Sequence, residues 1–136
     1  MISREELESE ISRRLQGELE KEEALSRVPK LGQVIESYLL RPAKLLRPRL
    51  LLATASAYAK GNRGAPREAL YRLATATELL HVFALMHDDR MDLSGRAGVE
   101  LPSTPEGGAS TLLGGDLLHA LAVEMIQESV AAFSLS

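Results

Sequence analysis

At 136 residues, with 45% hydrophobic and 26% charged side chains, the chain has the composition of one globular domain with a buried core. A net charge of -3 and an aromatic content of 4% weigh against a nucleic-acid partner, which wants a basic face and stacking rings. There is no cysteine, which excludes disulfides, thiolate nucleophiles and zinc–sulfur sites and favours a cytoplasmic location.

The apolar periodicity is helical almost throughout. Leu7, Ile11, Leu15 and Leu19 recur every fourth residue, and Ser3 with Glu6 has the spacing of a capping box. A second helix is predicted from Pro29, with Leu31, Val34, Ile35, Tyr38 and Leu39 on one side and Pro42 ending it. Pro48 then opens a third through "RLLLATASAYAK", and "GNRG" at 61–64 stops that one. Pro66 starts the fourth and longest helix, which runs to about Met91 and is apolar enough in its second half to be buried. "LSGRAGVELPSTPEGG", 93–108, has the composition of a loop. A fifth helix follows, with Leu112, Leu113, Leu117, Leu121, Met125, Ile126 and Val130 as its apolar side. No strand-like alternation or internal repeat occurs, so the expected fold is a single all-α domain over 1–136, a bundle of about five helices. No apolar run approaches the ~18–20 residues of a bilayer span, and "MISREE" is too acidic for a signal peptide, so no membrane span is expected.

The chemistry concentrates at the end of the fourth helix, in "HVFALMHDDRMD". Asp88 and Asp92 are one turn apart on one face, and Asp89 lies roughly 100° around from Asp88. Three carboxylates so close repel one another unless a cation sits among them, and at a helix C-terminus they also oppose the macrodipole. A calcium loop is excluded, because taking Gly95 as its invariant glycine puts Arg90 and Leu101 at the terminal ligand positions. Oxygen-only ligands suit Mg²⁺, which keeps several waters and shares phosphate oxygens with a substrate. His81, two turns before Asp88, shares its face, and Lys44 with Arg47 forms a compact cationic pair able to grip a phosphate. Taken singly, a histidine like His81 is more often a satisfied core residue than a ligand, and a pair like Lys44 and Arg47 is usually a solvated face; their joint occurrence carries the ligand reading.

In order and spacing, "AKLLRPRLLL", "ELLHVFALMHDDRMD" and "LLGGDLL" resemble the first half of trans-isoprenyl diphosphate synthases, the polyprenyl synthetase family. The DDxxD motif of that family is matched by Asp88, Asp89 and Asp92, and its GKxxRP motif by "AKLLRP" except that Ala43 stands at the glycine. The resemblance implies half of the isoprenoid synthase fold and Mg²⁺-dependent condensation of isopentenyl diphosphate with an allylic diphosphate. Asp88, Asp89 and Asp92 would be the catalytic, metal-binding residues. Lys44, Arg47 and His81 would hold the diphosphate of isopentenyl diphosphate, and Arg96 the allylic one. Phe83 matches the position where the family sets chain length, and Ala84 the alternative one beside it. The family's second arginine after the motif is Ala97 here, which removes a contact of roughly 1.5–3 kcal/mol. Its second aspartate-rich motif does not occur in the 136 residues. Activity of this chain alone is therefore not expected. The alternative is a non-catalytic subunit that binds diphosphate or regulates a full-length prenyltransferase. In either case the chain should associate, as a homodimer or with a full-length synthase.

Overall fold

The structure, a computed structural model, describes residues 3–39, 43–58, 66–92 and 105–134, with the side chains of 24, 91, 92 and 105–107 outside that description. Among these residues there are six helices and no strand: α1 (Arg4–Lys21), α2 (Glu23–Arg27), α3 (Pro29–Leu39), α4 (Leu46–Tyr58), α5 (Arg67–Asp92) and α6 (Pro105–Ser134). The all-α expectation holds. The additional helix is α2, a single five-residue turn set off from α1 by Glu22, whose backbone is extended (φ −81°, ψ 102°). No proline or glycine marks that break, and apolar periodicity alone does not reveal it.

Local chemistry accounts for most boundaries. The Ser3 hydroxyl accepts from the Glu6 N–H at 3.2 Å and the Glu6 carboxylate accepts from the Ser3 N–H at 2.8 Å, completing the capping box of α1. Pro29 opens α3 as expected. Pro48 does not open α4 but is its third residue. A ring without an N–H is tolerated there because first-turn donors have no intrahelical acceptor to lose. The expected loop 93–108 is also shorter at its end: Pro105 already starts α6, and 93–104 lie outside the described residues.

α5 and α6, 26 and 30 residues long, form the central seam. Leu79, Met86, Leu118 and Ala122 are fully buried along it, each large aliphatic side chain contributing about 1.5–3 kcal/mol. The two helices approach closely because α6 is notched by glycine. A Cβ on Gly114 would stand 2.8 Å from Met86 Cε, and one on Gly115 would stand 2.6 Å from His87 Cδ2. By length and composition Gly108–Ser134 is apolar enough to cross a membrane, which the expectation of no such run did not anticipate. In this fold it is the core partner of α5.

α1 lays Leu7, Ile11 and Leu15 into the same core, and α3 adds Val34, Ile35 and Tyr38. Arg14 ties α1 to α5: its Nη2 meets Glu68 Oε2 at 2.8 Å, and its guanidinium lies 5.6 Å from the centre of the Tyr71 ring. α4 is shallowly embedded, with Pro48 its buried side chain and Leu46, Leu50 and Tyr58 exposed. Just before it, Leu45 takes a left-handed backbone (φ 50°) while its side chain is buried. For a non-glycine residue that conformation costs on the order of 1–2 kcal/mol, so its surroundings must hold it.

Candidate functional site

The site is built on one stripe of α5. Glu78, His81, Leu85 and Asp88 follow at spacings of three and four, so they face the same direction over about three turns, and Asp92 holds the next position in that register. The upper part of the stripe walls a cleft of about 620 Å³. Its other walls are Arg4, Glu8, Ile11 and Leu15 from α1, Tyr38 from α3, and the segment Ala43–Arg47 that leads into α4. The cleft thus brings the Lys44 and Arg47 pair together with His81, which is distant from both in the chain.

The electrostatics of this cleft are uneven. Lys44 and Arg47 are exposed at its mouth, whereas His81 is half-buried. Burial pushes the His81 pKa down, and the Arg47 charge adds to that, so the imidazole is neutral at pH 7 and offers one donor and one acceptor. Glu78, one turn before His81, is only 7% exposed. Burial raises its pKa while Arg47 partly opposes the rise. Glu78 was not among the sequence candidates. Its signal was its place on the stripe, three residues before His81.

The three aspartates part company. Asp88 is exposed on the stripe. Asp89 is 1% exposed and turned inward, where its Oδ2 accepts from the Tyr38 hydroxyl at 2.8 Å. The roughly 100° step from Asp88 carries it to the α3 side of the helix. Asp92 ends α5, with its side chain outside the described residues, and Arg96 and Ala97 lie wholly outside them. Among the described residues no group of three or more metal-ligating side chains forms.

Phe83 is on the far side of α5 from the cleft, at the α6 seam. Its ring centre is 4.6 Å from that of His87 and 4.9 Å from that of His119. Ala84, beside it, is exposed. His87 is seated on Gly115, with Nε2 3.2 Å from both the Leu112 carbonyl oxygen and Asp116 Oδ1. Tyr38, His87 and Asp116 therefore fix the end of α5 from two sides. Of these, Tyr38 was expected on the apolar side of its helix, and His87 and Asp116 were assigned no part from the sequence.

Comparison with known proteins covers most of this arrangement. The family model for polyprenyl synthetase matches residues 28–135. The geranylgeranyl diphosphate synthase of Saccharolobus solfataricus is 39% identical over 88 residues, 64% of this chain and 25% of its own. That of Sulfolobus acidocaldarius is 34% identical over 104 residues, 76% of this chain and 30% of its own. The geranylfarnesyl diphosphate synthase of Aeropyrum pernix is 40% identical over 87 residues, 63% of this chain and 26% of its own. The chain thus spans only about a quarter to three-tenths of the length of these curated relatives. No solved structure matches it. A single family model running from α3 to the end of α6, with relatives whose names agree among themselves, leaves one assignment: this chain belongs to the polyprenyl synthetase family.

Proposed function

We propose that the chain carries the first diphosphate-binding wall of a prenyl diphosphate synthase, for Mg²⁺-dependent condensation of isopentenyl diphosphate with an allylic diphosphate. The observation that carries this reading is the shared stripe: Lys44, Arg47 and His81 face one cleft, and Asp88 stands two turns beyond His81 on the same side of α5. Two fixed cations and a neutral imidazole suit a diphosphate, with the cations supplying charge and the ring a directed hydrogen bond.

The carboxylates fit Mg²⁺ as a pair. Asp88 reaches solvent at the helix end and Asp92 follows one turn later, an oxygen-only donor set that leaves positions for water and diphosphate oxygens. Asp88 and Asp92 would hold the ion, and Asp89 would act from inside through Tyr38, keeping the last turns of α5 in one rotation. When bound, Mg²⁺ supplies charge neutralisation of a leaving diphosphate. Lys44, Arg47 and His81 would hold isopentenyl diphosphate beside that centre, so that its double bond faces the allylic carbon.

A second reading has its own support. Leu46 and Leu50 on α4, and Leu113 and Val130 on α6, are more than half exposed, which suits a subunit that packs against a second chain and binds diphosphate without turning it over. One experiment addresses both. Titration of the chain with inorganic pyrophosphate and Mg²⁺ should give binding that Lys44→Ala weakens and that Asp88→Ala strips of its Mg²⁺ dependence. Binding indifferent to both variants would refute the site. Incubation with isopentenyl and allylic diphosphates then separates the two readings by whether a longer prenyl diphosphate forms.

A further inference from the structure

The segment that presents Lys44 and Arg47 is held in place by a residue from outside the family match. That match begins at Val28, yet Arg4, in the first turn of α1, reaches across 39 residues of chain. Its Nη2 donates to the Ala43 carbonyl at 3.1 Å, and its Nε meets Glu8 Oε1 at 2.8 Å. The capping box of Ser3 and Glu6 fixes the turn from which Arg4 projects.

On its other side the same segment is held by Leu45. The Leu45 side chain is buried, and its carbonyl accepts from the Arg49 N–H at 3.0 Å to start α4. Between them, Arg4 and Leu45 hold the backbone immediately before and after Lys44. The left-handed φ of 50° at Leu45 makes that hold necessary, because an unheld leucine relaxes to a right-handed or extended backbone and re-aims both neighbouring cations.

We propose that Arg4, kept in register by Glu8, is a positioning residue for the diphosphate-gripping segment, so that α1 helps to set the affinity of a cleft whose motif residues lie elsewhere. This rests on the reading of the cleft as a diphosphate site. Glu8 makes the effect distinguishable from plain electrostatics. A nearby carboxylate opposes anion binding by its charge, so Glu8→Gln should tighten binding if charge alone matters. If Glu8 instead aligns Arg4, the same variant loosens it.

The test uses the full chain with inorganic pyrophosphate and Mg²⁺ in a calorimetric titration, alongside hydrogen exchange of the Arg49 amide, which the Leu45 carbonyl holds at 3.0 Å. Arg4→Ala should weaken binding by roughly threefold to tenfold, as expected for one hydrogen bond from a charged donor near the surface. Arg4→Lys should remain weakened, because an ammonium keeps the charge but not the fork that spans Glu8 and Ala43. Glu8→Gln should weaken binding in the same sense, and all three should speed exchange of the Arg49 amide. Tighter binding in Glu8→Gln, full recovery in Arg4→Lys, or unchanged exchange in Arg4→Ala would overturn the proposal. If wild type and Lys44→Ala both fail to bind pyrophosphate, the diphosphate reading fails, and the exchange data still decide whether Arg4 holds the segment.

Discussion

Tyr38→Phe tests the packing of the aspartate motif with little disturbance of volume. The phenyl ring keeps its place in the core beside Val34 and Ile35, and what disappears is the hydroxyl that donates to Asp89 Oδ2 at 2.8 Å. Asp89 is 1% exposed, so water does not readily replace the lost donor. A hydrogen bond to a buried charged acceptor contributes about 1.5–3 kcal/mol. For 136 residues the unfolding entropy is about 0.29 kcal/mol/K, so the melting temperature should fall by about 5–10 °C. Calorimetric melting of wild type, Tyr38→Phe, Asp89→Asn and the double variant should also give a coupling energy above about 1 kcal/mol. A fall of less than about 2 °C, or additive single effects, would show that Asp89 is not held through Tyr38.

Gly115→Ala should destabilise by about 1–3 kcal/mol in urea titration, because its Cβ at 2.6 Å from His87 Cδ2 forces that ring out of its seat. Leu79→Ala, at the centre of the α5–α6 seam, should cost about 2–5 kcal/mol by the same measurement. Glu78→Gln should change the pH dependence of stability. The folded pKa of Glu78 is raised, so its contribution is fully present below the unfolded value of 4.5 and is lost as pH rises through the folded value. Relative to wild type the variant should therefore gain stability as pH rises above 4.5, and parallel pH curves would contradict this. His81→Gln carries the opposite sign. The folded pKa of His81 is lowered, so wild type should lose stability against the variant as pH falls below 6.5.

Much of the fold was legible because short-range rules governed it. The capping box at Ser3 and Glu6, the start at Pro29 and the length of α5 all follow from local spacing, and each is present in the structure. What escaped depends on contacts between elements. "EGGAS" and "LLGGD" contain glycine pairs that read as loop or as neutral, yet Gly114 and Gly115 are helical and thin α6 where Met86 and His87 cross it. The site shows the same division. Periodicity joined His81 to Asp88, but the inward turn of Asp89 depends on where α3 presents Tyr38. Glu78 went unremarked because a glutamate on a helix is ordinarily solvated, and only the closeness of α1 and α4 makes this one buried.

The exposed leucines of α4 also connect the proposed cleft to whatever packs beside it. Arg47 is carried by a helix that buries Pro48 and leaves Leu46 and Leu50 exposed, and Leu46 itself lines the cleft. If the proposed diphosphate site holds, a second chain laid over Leu46 and an anion in the cleft act on the same wall, and each changes the affinity for the other by the same factor. Pyrophosphate affinity measured against protein concentration then gives the sign of that coupling, a cover that braces the cleft or one that closes it.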